Sequence, residues 1–171
     1  MRKGLRAPPG VATCTRMASR PSKKPRTGSA RSAARLAAVQ ALYQREMSGA
    51  AVAQLLTEFH RHRLGAEIEG EQFREADIDF FNDVVKGVDA RESEIDALLS
   101  AHLAEGWTLD RLDRPMRQIV RAGTYELVAR SDIPTAAIIN EYVDVAHAFH
   151  EAREAKFVNG LLDAIAKKVR P

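Results

Sequence analysis

The sequence predicts an all-α protein of about seven helices, and three observations carry that prediction. From about residue 30 onward, apolar residues recur at spacings of three and four, the period of a helix with one buried face. Nowhere do they alternate singly between turn residues or follow a strand–helix–strand rhythm, as a sheet would require. Short stretches rich in Gly, Pro, Ser or Asp separate the periodic segments and supply stop and start signals.

The first helix is expected near 30–47, with Leu36, Val39, Leu42 and Tyr43 on one face and Ser48-Gly49 ending it. A second, near 51–63, turns Val52, Leu55, Leu56 and Phe59 inward, and residues 64–74 read as a Gly- and Glu-rich loop. The third, about 75–89, buries Ile78, Phe81, Val84, Val85 and Val88; the fourth, about 91–104, uses Ile95, Leu98, Leu99 and Leu103. Trp107 and Leu109 fall in the connection that follows. Asp113 is the expected N-cap of the fifth helix, with Pro115 in its first turn, where a missing N–H costs nothing. Its inner face is Met116, Ile119, Val120, Gly123 and Leu127. Pro134-Thr135 opens the sixth, carrying Ile138, Ile139, Tyr142, Val143 and Ala146. The last, near 152–168, carries Phe157, Val158, Leu161, Leu162 and Ile165.

With 171 residues, 45% of them hydrophobic, the chain is expected to form one domain with a sizeable core. The lone cysteine, Cys14, excludes an intrachain disulfide framework and fits a reducing, cytoplasmic setting. No apolar run approaches the roughly 18 residues that a membrane-spanning helix needs. Charge is distributed unevenly. Residues 1–35 hold ten basic side chains and no acidic one, which leaves 36–171 with a net charge of −7. Residues 1–30 therefore read as a basic arm, too poor in large apolar groups to offset the entropy of ordering, hence disordered. Residues 31–171 read as the helical domain. A basic arm on an acidic body suggests a partner of dense negative charge, nucleic acid foremost; a solubilising tail, an Arg-rich transit peptide and a translation start at Met17 are the other open readings of the arm.

Phosphate-cradling glycine motifs and a G-x-S-x-G nucleophile elbow are absent from the sequence, so no enzyme and no cofactor are expected. His147, His150 and Glu151 share a helix face, but nothing supplies the remaining ligands of a closed metal shell. His60 and His62 are two apart and diverge, and Asp77, Asp79 and Asp83 read as a polar face beside Phe80-Phe81. No metal site is expected. Arg114, Arg117 and Arg121 form a stripe that i,i+4 pairs with Asp110 and Asp113 would largely explain. Arg31 and Arg35, four apart where the basic arm meets the first helix, form a patch suited to single-stranded RNA. Their role there would be phosphate contact, with Tyr43 as a ring for a base to stack on.

Three stretches carry a resemblance. Arg35-Leu-Ala-Ala-Val-Gln40-Ala-Leu-Tyr43 resembles the first helix of the NusB family of bacterial transcription antitermination factors, and Arg121-Ala-Gly-Thr-Tyr-Glu126-Leu its fifth. Ser131-Asp-Ile-Pro134-Thr-Ala-Ala-Ile-Ile-Asn140-Glu141, followed by Ala155-Lys156-Phe157-Val158-Asn159-Gly160-Leu-Leu-Asp163, resembles the C-terminal signature of that family. The resemblance implies two packed three-helix bundles and a function without catalysis. It implies binding, with the ribosomal protein NusE, to the boxA element of nascent ribosomal RNA within the RNA polymerase antitermination complex. Carried onto this sequence, the RNA-binding residues are Arg31, Arg35, Gln40 and Tyr43 in the first helix and Lys156 and Phe157 in the last. Arg153 joins them by lying three residues before Lys156, on one face of the first turn. The arginine run of the family is thinned here to Arg31-Ser-Ala-Ala-Arg35, and Arg153 stands where the family often has an acid. Two alternatives stay open. One is a protein-interaction module, or a homodimer, that binds no RNA. The other is the RNA-binding part of an RNA cytosine methyltransferase, which would need a second domain for which this length leaves no room.

Overall fold

The computed structural model describes residues 27–62, 67–68, 71–72 and 76–171. The basic arm through residue 26, with Cys14 and Met17, lies outside the described residues. Among the described residues the chain forms seven α-helices: α1 (Thr27–Ser48), α2 (Val52–His62), α3 (Ile78–Ala90), α4 (Glu92–His102), α5 (Arg114–Ala129), α6 (Thr135–Phe149) and α7 (Ala152–Val169). A 3-10 turn, Leu109–Arg111, precedes α5. Within the span read as a loop, β1 (Glu67–Ile68) pairs antiparallel with β2 (Glu71–Gln72), Glu67 opposite Gln72. Two-residue strands are too short to leave an alternation that a sequence could show.

The boundaries have local causes. Asp77 caps α3 by accepting the Phe80 N–H at 3.0 Å, and Asp113 caps α5 by accepting the Met116 N–H at 2.8 Å. Each satisfies one of the donors that a helix start leaves free. Gly49 follows α1 at φ +68°, a backbone conformation that a Cβ would disfavour, and closes the turn by donating to Arg45 O at 2.9 Å. At the far end, Arg170 wraps the C-terminus of α5. Its guanidinium donates to the carbonyls of Glu126, Leu127, Arg130 and Ile133 at 2.6–3.0 Å, which ties the end of α5 and the turn after it to the end of α7.

Helices α1, α2 and α3 contact one another, as do α5, α6 and α7, giving the expected two trios; α4 packs on α3, α5 and α7. Helix α5 also touches α1 and α3 and is the shared axis of a single core. That position explains a burial the apolar period did not foresee. Besides its expected inner face, α5 buries Gln118, Ala122, Thr124, Tyr125 and Glu126, because neighbours cover it on more than one side. In α3 the expectation for Ile78 is not met. It is 47% exposed, at the first helical residue, while Phe80 takes a buried place beneath α1.

Candidate nucleic-acid interface

Arg31 and Arg35 lie on α1 as expected, but only Arg31 reaches the surface. Its side chain is 35% exposed and sits 3.5 Å from Asp77. Arg35 is 3% exposed. Its Nε and Nη2 donate to the two carboxylate oxygens of Glu126 at 2.8 and 3.0 Å, a bidentate pair. Glu141 lies 3.4 Å from Nη1. The Tyr142 hydroxyl donates to the same Glu126 carboxylate at 2.6 Å. Placing both arginines together as free phosphate ligands is therefore corrected: Arg35 is a core residue with a committed guanidinium. Burial works against the charge of Arg35, and the bonds to Glu126 more than offset it, so its pKa is held above the ordinary arginine value.

The guanidiniums of Arg31, Arg35 and Arg130 lie 5.2, 4.8 and 5.2 Å from the centroid of one ring, Phe80. Three cations gather around one buried aromatic, whose face is electron-rich, a favourable placement only because acids pair each of them. Arg130 bonds Asp132 and Asp83. The Arg130 hydrogen bonds hold the carboxyl of Asp132 down at about 2.

Helix α1 runs antiparallel to α5: Arg35 meets Glu126, and eleven residues later Glu46 meets Arg117 and Gln118. Helix α7 runs parallel to α5, from Phe157 beside Met116 to Arg170 on Leu127. The site residues therefore separate. Arg31 lies near the C-terminal end of α5, and Tyr43 is about 18 Å further along α1 at 1.5 Å per residue. Tyr43 is 38% exposed, and Gln40 is half-buried between them. Arg153, Lys156 and Phe157 lie at the N-terminal end of α5.

At the start of α7, Arg153 and Lys156 are exposed and make no ion pair among the described residues. Phe157 is half-buried against the core margin, the intermediate position its spacing beside Val158 suggests. Glu151 occupies the N-cap without a capping hydrogen bond, leaving the first N–H groups and the positive end of the dipole available to an anion. A cavity of about 480 Å³ opens here, lined by Trp107, Arg111, Met116, Arg153, Glu154 and Phe157 among others. Sequence reasoning placed Trp107 only in a connection. The available signal was a lone tryptophan outside every apolar period.

Two of the three arginines of the α5 stripe are structural, though not through i,i+4 pairs, while the side chain of Arg114 is 54% exposed. Arg117 bonds Glu46 and the carbonyls of Leu109 and Leu112, and Arg121 makes a bidentate pair with Asp96 at 2.8 Å. Asp113 is occupied by its cap and by His150 Nε2 at 2.8 Å. Among the described residues no three His, Cys, Asp or Glu side chains converge to hold a metal.

Two tyrosines give a pH signature. Burial first, then the charge of Glu126, raises Tyr142 well above the usual phenol value, and burial with the Asp83 hydrogen bond pushes Tyr125 up to about 12. The unfolded chain ionises near 10. Stability is thus fully present below pH 10 and is expected to fall as pH rises from about 10 through 12. Absorbance titration of the folded protein should show phenolate from Tyr125 and Tyr142 only as this alkaline unfolding sets in.

A model of the NusB family matches residues 32–167. The transcription antitermination protein NusB of Novosphingobium aromaticivorans is 67% identical over 144 residues, covering 84% of this chain and 97% of that protein. Its counterpart in Caulobacter vibrioides is 51% identical over 140 residues, covering 82% of this chain and 94% of that protein. Among solved structures, T. maritima NusB superposes with a TM-score of 0.68 at 33% identity, covering 82% of this chain and 93% of that one. A chain from the crystal structure of antitermination factors NusB and NusE in complex with dsRNA shares the fold at TM-score 0.68 and 24% identity, covering 82% of this chain and 98% of that one. The family match spans most of the helical domain, including all three signature stretches, and the relatives match over nearly their whole length: the chain belongs to the NusB family.

Proposed function

We propose that this chain binds boxA-type single-stranded RNA of nascent ribosomal transcripts together with NusE, and acts without catalysis in the antitermination complex of RNA polymerase in the cytoplasm. The observation that carries the reading is the start of α7, where unpaired Arg153 and Lys156 stand beside a half-buried aromatic at an uncapped helix N-terminus. Phosphates suit the cations and the free N–H groups, and Phe157 suits an unstacked base. Arg31 adds a cation, and Gln40 and Tyr43 add an amide and a ring on α1. Arg35 contributes by fixing α1 rather than by touching RNA. The relatives are named for antitermination, and a chain of this fold was crystallised with NusE and RNA, which sets the ligand classes to test.

A gel-shift with boxA RNA, with and without NusE, is the direct test. Binding to boxA that NusE strengthens is the expected result; no shift under either condition would leave a protein-interaction or self-associating module. Arg153→Asp is expected to weaken RNA binding by about 1–3 kcal/mol, the cost of a lost charge-assisted contact. NusE affinity should hold, and the free protein should gain a few tenths of a kcal/mol from relief at the helix dipole. Arg31→Ala should lower the log–log salt slope by about 0.7. RNA affinity unchanged in both variants would leave these arginines merely solvated.

A further inference from the structure

We propose that the sugar–phosphate backbone of the bound RNA runs on along the outer ridge of α7, closest at Gly160, where the Asn159 amide meets a ribose hydroxyl. The inference rests on the RNA-binding reading above. Asn159 and Gly160 are adjacent and exposed in the middle of α7, and nothing inside the chain calls for either. Gly160 has an ordinary helical backbone rather than a positive φ, and a Cβ added to it would meet nothing within 4 Å. Asn159 makes no side-chain hydrogen bond among the described residues. Glycine and asparagine are both weak helix formers, so the pair costs the helix stability with no packing in return. A local rule broken without internal compensation is expected where function demands it. Glycine meets such a demand by letting a ligand come close to the backbone.

Charge names the occupant. At about 100° per residue, Arg153, Lys156, Gly160 and Lys167 fall within about 60° of one another, opposite the buried Val158, Leu162 and Ile165. Helix α7 exposes Arg153, Lys156, Lys167 and Lys168, and the acid on that side, Asp163, is held by Lys167 at 2.7 Å. The exposed sides of α3, α4 and α6 have the opposite sign, with Asp79, Asp89, Glu94 and Asp144 against one lysine, Lys86. On an otherwise acidic body, the outer side of α7 therefore suits a polyanion. The ridge begins at the two cations already assigned to phosphates and reaches Lys167 about 21 Å further on, at 1.5 Å per residue. It is separate from the cavity that Phe157 lines, because Asn159 lies about 200° round the helix from that ring. An amide both donates and accepts, as does the ribose 2′-hydroxyl that deoxyribose lacks.

The probes are labelled boxA RNA and the same strand built on 2′-deoxyribose, read by anisotropy beside thermal unfolding. Gly160→Leu adds bulk at an exposed helical position, so the fold should hold or gain stability. RNA binding should weaken about tenfold, as the strand is lifted off Asn159 and Lys167, while NusE affinity holds. The same bulk on another helix, Ala97→Leu on α4, should leave RNA affinity within about twofold of the parent, a surface change away from the strand. Asn159→Ala should lower RNA affinity about fivefold, the loss of one hydrogen bond, and leave the deoxyribose strand unaffected. Lys167→Ala should lower the log–log salt slope by about 0.7. RNA affinity unchanged in Gly160→Leu overturns the inference, as does an equal loss for both strands in Asn159→Ala. Should Gly160→Leu lose stability, Asn159→Ala and Lys167→Ala decide, and no effect in either overturns it. Weaker NusE binding with RNA affinity intact gives the ridge to a protein partner and overturns it as well. If the unaltered protein binds no boxA RNA, the RNA-binding reading fails, and this inference fails with it; if it binds and the variants bind equally, this inference alone fails.

Discussion

Glu126→Gln is expected to lower the free energy of unfolding by about 3 kcal/mol, the low end of the range for breaking a buried ion pair from one side. The reason is what it leaves behind. Arg35 is 3% exposed and Glu126 fully buried, so the guanidinium would lose its bidentate partner with no water to replace it. Tyr142 would lose the charge on its acceptor. Glu141, at 3.4 Å and partly exposed, retains some compensation, which is why the upper end of the range is not expected. Arg35→Met should cost as much, since it strands the carboxylate instead. The double variant Arg35→Met with Glu126→Leu should be closer to the parent than either single one, because no charge is left unpaired. Urea unfolding of the four proteins gives the coupling directly. Were Arg35 free on the surface, as its place beside the basic arm suggests, its replacement would move stability by no more than about 0.5 kcal/mol.

That contrast marks how far the sequence could be read. The helices were legible because their causes are local: the spacing of Val84, Val85 and Val88, the Asp113 cap, the Ser48-Gly49 stop. The two trios came from the resemblance, and the helix contacts bear them out. Pairing across helices was not legible. Glu126 and Gln118 are absent from the inner face expected for α5, yet both are buried, because α1, α3 and α6 cover more of that helix than its apolar stripe. Arg117 has a candidate partner four residues away in Asp113, yet it bonds Glu46, and Arg121, with no acid at that spacing, pairs with Asp96; both partners are on other helices. The candidate site was half legible for the same reason. Arg153, Lys156 and Phe157 lie within five residues of one another on one helix, whereas Trp107 joins them at one cavity only because α5 brings the preceding connection against α7.

Gly87→Ala is expected to cost about 3 kcal/mol, at the upper end of what overpacking a filled site does, although the same change in an exposed helix stabilises by about 0.5–1 kcal/mol. A Cβ at Gly87 would fall inside the ring of Tyr125, which packs across α3 at that point. Tyr125 is 6% exposed and holds Asp83 through its hydroxyl at 3.0 Å, so its ring cannot withdraw without giving up both packing and the hydrogen bond. Gly160→Ala on α7 is the internal control, since nothing lies within 4 Å of its added methyl group; it should raise stability by about 0.5–1 kcal/mol. A cycle isolates the cause. In a Tyr125→Ala background, already weakened by the lost ring, Gly87→Ala should become neutral or mildly stabilising, because the methyl group then enters vacated space. Thermal or urea unfolding reads each step. A penalty that persists without Tyr125 would mean that the backbone of α3, rather than the approach of that ring, demands glycine at this position.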